Sequence, residues 1–93
     1  MNSPEHHHIL EIDGVRFVAT VADTGPTAQI IVRCEGIATK TNMDAFYSAF
    51  EPLKVRNIKK PTLFDLPDSR FLVRPEGDRV LVMLLDLKPV AAH

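Results

Sequence analysis

Apolar and polar residues alternate most regularly over "HILEIDGVRFVATVAD", residues 8–23, and the alternation breaks only at Asp13-Gly14. Period-two spacing on both sides of an Asp-Gly pair predicts a β-hairpin closed by a two-residue type I′ turn, because Asp and Gly tolerate the positive φ that turn requires. Such a turn fixes the register. Ile12 is expected opposite Val15, Glu11 opposite Arg16, Leu10 opposite Phe17, and Ile9 opposite Val18. Leu10, Ile12, Val15, Phe17, Ala19 and Val21 then share one face, while Ile9 and Val18 fall on the other.

The turn cluster "DTGP", Asp23–Pro26, leads into a third strand, "TAQIIVRCEGIAT". Ala28, Ile30, Val32 and Cys34 alternate there with Gln29, Ile31, Arg33 and Glu35, and Gly36 marks a bulge. In "TNMDAFYSAFEP" the period changes. Met43, Phe46 and Phe50 recur at i, i+3 and i+7, the spacing of one helical face. Thr41 with Asp44 three residues on reads as the N-terminal cap, and Pro52 as the stop.

Beyond the helix, "PTLFDLPDS" is bracketed by Pro61 and Pro67, which points to a loop or a short edge strand. The remainder, "RFLVRPEGDRVLVMLLDLKP", reads as a final hairpin: Phe71 to Arg74, a turn through Pro75–Asp78, then Val80 to Leu87. Its last run, "VLVMLLDL", is apolar on both parities, the pattern of a strand buried on both faces. The expected order is β-β-β-α-β-β. This is an α+β fold, a small antiparallel sheet of about five strands with one helix packed on one face. Residues 1–8 are expected to form a flexible leader and residues 9–90 a single domain.

One helix covers one face only. The other face is left displaying Ile9, Val18 and Ile31, with one parity of the two-sided C-terminal strand. Either the sheet curls into a partial barrel, or a protein partner, a second copy included, covers it.

Composition narrows the picture. A chain of 93 residues that is 45% hydrophobic and 25% charged holds one modest core. Cys34 is the single cysteine, so no internal disulfide staples the fold, which suits a reducing compartment. The N-terminus "MNSPEHHH" lacks a signal-peptide apolar region, and no apolar run approaches the ~18 residues of a membrane span. A cytoplasmic protein with no membrane association is the expectation. Charge is polarised along the chain. Residues 1–53 carry three basic and seven acidic side chains, a net of −4, and residues 54–93 carry eight and five, a net of +3.

Catalysis finds little support. His6, His7, His8 and His93 all lie at the termini, so no imidazole stands where a nucleophile needs one held rigidly. Cys34, at an inward strand position, reads as core. The "HHH" run brings no further ligands with it, and no metal site is assigned. The carboxylate pairs Asp65/Asp68 and Glu76/Asp78 sit in Pro- or Gly-containing turns, where acidic side chains commonly bond local backbone. Four isolated glycines form no phosphate cradle, and no cofactor is expected.

The segment "EPLKVRNIKKP" gathers Lys54, Arg56, Lys59 and Lys60. Those cations suit either the phosphates of a nucleic acid or an acidic protein surface. They equally suit a charged edge that discourages sheet-to-sheet association. Leu63, Phe64 and Leu66, between the two prolines, read as an apolar recognition loop or as a plug for the end of the core. The sequence points to a non-catalytic protein-interaction module. Its candidate contacts are Leu63, Phe64, Leu66, Ile9, Val18 and Ile31, with a homodimer as one form of partnership. The alternative is a small nucleic-acid-binding module using residues 54–60.

Overall fold

The computed structural model describes residues 5–54 and 57–92. Six strands form one sheet in the order of the chain: β1 (Glu5–Ile12), β2 (Val15–Asp23), β3 (Ala28–Glu35), β4 (Thr62–Asp65), β5 (Ser69–Glu76) and β6 (Arg79–Leu87). Between β3 and β4 lie the helix α1 (Lys40–Ala49) and a 3₁₀ turn, Glu51–Leu53. The fold is α+β, a mostly antiparallel sheet with one helix on one face. Its shortest dimension, 20 Å, is that of two layers.

The first hairpin has the register its turn dictates. Ile12 pairs with Val15, Glu11 with Arg16, Leu10 with Phe17 and Ile9 with Val18. Asp13 and Gly14 both take positive φ, 52° and 77°, as a type I′ turn demands. β1 begins at Glu5, so Glu5–His8 pair with Ala19–Ala22 and belong to the sheet, whereas they were expected in the leader. Residues 1–4 lie outside the described residues.

Three expectations are corrected. First, the helix cap is Thr39, not Thr41. The Thr39 hydroxyl accepts from the Asn42 amide at 3.2 Å, and the Asn42 side-chain oxygen accepts from the Thr39 amide at 2.8 Å. This is a capping box in which a short amide does the work usually done by Glu or Gln.

Second, "TLFD" is a central strand, β4, with β3 on one side and β5 on the other, which makes six strands in place of about five. Pro61 and Pro67 stand just outside it, so no ladder amide is missing. β4 runs parallel to β3 because the helical crossover carries the chain back to the same end of the sheet.

Third, β6 is not buried. It forms one edge of the sheet, and Leu81, Val82, Met83, Leu84, Leu85 and Leu87 are 39% to 71% exposed. The final turn is also tighter than expected, only Gly77-Asp78, with Pro75 inside β5 where that strand has passed the end of β4.

The core lies between sheet and helix. Phe17 and Ala19 of β2, Ile30 and Val32 of β3, Phe64 of β4 and Val73 of β5 are buried against Met43, Phe46 and Phe50. The Phe46 and Phe17 rings stack with centroids 5.0 Å apart. After β6 the chain turns onto this covered face. There the Lys40 amide donates to the Ala91 carbonyl, the Ala91 amide donates to the Ala38 carbonyl, and Val90 packs on the core.

Candidate interaction surface

Alternation along the strands decides which side chains line the uncovered face. The pairing aligns Gln29, Leu63, Leu72 and Met83 in one row across β3, β4, β5 and β6. Leu81 lies beside Met83 on the same parity. Leu85 has no partner on β5, because the pairing jumps from Phe71–Leu84 to Arg70–Asp86 and leaves it as a bulge. Leu63, Leu72 and Leu85 line one wall of an apolar groove of about 430 Å³, and Thr24, Thr27 and Pro61 close its end. None of these leucines is buried, and among the described residues no helix lies over them.

The residues singled out from the sequence separate into two groups. Leu63, Ile9, Val18 and Ile31 share the uncovered face, with Ile9 the most open at 60%. Ile9 and Val18 lie toward the β1 edge, apart from the Leu63–Leu72–Met83 row. Phe64 and Leu66, in contrast, are completely buried, so a partner cannot reach them in this fold. They plug the core because their parity on and after β4 is opposite to that of Leu63. Leu72, Leu81, Met83 and Leu85 are not among the contacts the sequence predicts. Only the two-sided apolar pattern of "VLVMLLDL" pointed toward them, and it was read as burial.

Two of the cations of residues 54–60, Lys54 and Lys60, are engaged within the chain. Lys54 Nζ lies 2.6 Å from Glu51. Lys60 Nζ donates to both carboxylate oxygens of Asp23, at 2.6 and 2.8 Å, and to the Gly25 carbonyl at 2.8 Å. The Lys60 ammonium and the Gly25 amide together hold the Asp23 carboxyl below its ordinary range. Lys59 is exposed, and Arg56 lies outside the described residues.

Several other titratable groups have structural partners. Lys88 Nζ, 2.6 Å from Asp65, and Arg70 at 3.5 Å keep the Asp65 carboxyl low. Asp68 accepts from the Tyr47 hydroxyl at 2.6 Å and the Ser69 hydroxyl at 3.1 Å, while its backbone carbonyl accepts from the Lys88 amide at 2.9 Å. The Asp65 and Asp68 carboxylates therefore tie different parts of the chain together. Burial pushes the Cys34 thiol up, away from the thiolate a nucleophile needs. His7 hydrogen-bonds with Thr20, and His8 meets the Phe50 ring edge-on. Among the described residues no three His, Cys, Asp or Glu side chains come together as a metal site, and no helix is long and apolar enough to cross a membrane.

Comparison of the chain with protein-family models, curated proteins and solved structures finds no match. The functional reading rests on the surface itself.

Proposed function

We propose that this protein is a non-catalytic interaction module that binds another protein through the uncovered face of its sheet at the β4–β6 end. One observation carries the reading. Leu63, Leu72, Leu81, Met83 and Leu85 form a contiguous apolar surface on a domain that already possesses a core. Scattered apolar residues on a surface need no explanation, but a continuous patch rimmed by charge marks an association site. The rim is present: Arg70 and Arg74 border the row on β5, and Asp65 borders it on β4.

The test is a surface variant, Leu63→Lys with Leu72→Lys, checked by circular dichroism for retained fold. Crosslinking in cells of origin, with the crosslinked peptides sequenced, is expected to place a partner on β4–β6 of the wild type and to lose it in the variant. Unchanged crosslinks in the folded variant would show that this face is not the contact. Salt-sensitive binding to DNA or RNA, lost when Lys54, Lys59 and Lys60 are replaced, would instead establish the nucleic-acid reading.

A further inference from the structure

The outer edge of β6 has no neighbouring strand in the sheet. In a hairpin with a two-residue loop, the residues flanking the loop exchange hydrogen bonds, and the pairs alternate from there. Glu76 and Arg79 are that flanking pair, so Val80, Val82 and Leu84 direct their N–H and C=O groups away from β5, toward the free edge. Pro75 agrees with this phase. It pairs with Val80, and having no N–H it belongs where the paired backbones do not bond each other. Three residues in succession along the edge thus present unpaired donors and acceptors, flanked on both faces of the strand by exposed apolar side chains.

Solitary edge strands are ordinarily blunted by lysine, proline or an inward-pointing charge. Between Val80 and Leu85 the edge has none of these. It does have a self-complementary arrangement. A twofold axis perpendicular to the sheet pairs residues of the same parity, and centring it on Val82 sets Val82 against Val82 of a second copy. Val80 then faces Leu84, and Leu81 faces Met83. The outward-directed amides of Val80, Val82 and Leu84 all fall in hydrogen-bonded pairs, and every intervening pair is apolar. At each end Arg79 meets the bulge at Leu85–Asp86. Arg79 and Asp86 share the uncovered face and form no ion pair with another described residue of their own chain, unlike Arg16, Lys54, Lys60, Arg70, Arg74 and Lys88.

We infer that the occupant of this edge is a second copy of the chain, joined β6 to β6 in antiparallel register about Val82, with Arg79 and Asp86 of opposite copies paired at both ends. The two sheets become one continuous sheet of twelve strands, six from each copy. The apolar row on the uncovered face then runs unbroken across the seam. This inference rests on the reading of the protein as an interaction module and names the chain itself as one of its partners.

The test combines light scattering with a charge exchange. Wild-type protein is expected to be a dimer. Arg79→Asp and Asp86→Arg are each expected to weaken dimerisation by at least about tenfold, since each places like charges together twice in the assembly. The double variant R79D/D86R is expected to restore it. Amide exchange on the wild type gives an independent readout without substitution. The Val80, Val82 and Leu84 amides, outward in one copy, should be protected in the dimer and should lose protection on dilution. A monomer at all soluble concentrations overturns the inference. So does a dimer indifferent to the single reversals, or one that the double reversal fails to rescue. If dimerisation is instead lost in L63K/L72K while the reversals have no effect, the uncovered face is the self-contact. That result refutes the edge pairing and leaves the interaction reading standing.

Discussion

Tyr47 shows how one side chain can fasten a helix to a sheet. It sits one residue past the buried Phe46, so its ring lies at the margin of the core, and its hydroxyl reaches Asp68 at 2.6 Å in the β4–β5 loop. Partial burial and the Asp68 carboxylate both disfavour a phenolate, and the pKa is pushed up to about 12. Because this folded value lies above the unfolded one of about 10, the contribution to stability is full below pH 10. It is lost as the pH rises through 12. Tyr47 is the only tyrosine and there is no tryptophan, so ultraviolet absorbance of the ionised phenol reports this group alone. The titration midpoint is expected near 12; one near 10 in still-folded protein would mean that neither the burial of the ring nor the Asp68 contact persists in solution. Tyr47→Phe should cost about 0.5–1.5 kcal/mol at neutral pH, with Asp68 still able to reach Ser69 and solvent.

At the scale of elements, legibility followed locality. The first hairpin could be read down to its residue pairs because its turn chemistry and its hydrophobic alternation are both contained in residues 8–23. The helix was legible from Met43, Phe46 and Phe50, but its start was not. Asn42 is an unusual third residue for a capping box, and the Thr41/Asp44 spacing imitated one. β4 was misjudged because its two prolines punctuate its ends, and because its partners come from opposite sides of the sequence, 34 residues before it for Ala28–Thr62 and nearby for Val73. That central placement has a measurable consequence. Phe64 is wholly buried and stacks on Phe71 with centroids 4.9 Å apart, whereas neighbouring Leu63 lies on the uncovered face. Phe64→Ala should therefore cost about 3–5 kcal/mol in urea unfolding, a large share of the stability of a small domain. Leu63→Ala should cost about 1 kcal/mol or less. Equal losses at the two positions would contradict this placement of β4.

At the scale of the whole molecule, helix and sheet are offset. α1 stacks on β2 through Phe46 and Phe17, Tyr47 marks its reach toward β5, and β6 overhangs beyond it. The apolar run "VLVMLLDL" carries the composition of a buried strand, yet one copy of the chain leaves it at an edge. The proposed second β6 would give that edge the backbone partner it lacks in a single copy. Assembly of that kind couples folding to concentration, because a dimer that forms only from folded chains is stabilised by mass action. The thermal midpoint of the wild type is expected to rise by several degrees over a hundredfold increase in protein concentration, the order expected when about 1.4 kcal/mol per chain is added to a domain this small. Arg79→Asp, which leaves the hairpin turn and core intact, should flatten that dependence while leaving the midpoint at high dilution nearly unchanged. A midpoint independent of concentration in the wild type would mean that β6 stands alone, and that its exposed leucines are tolerated by the isolated domain.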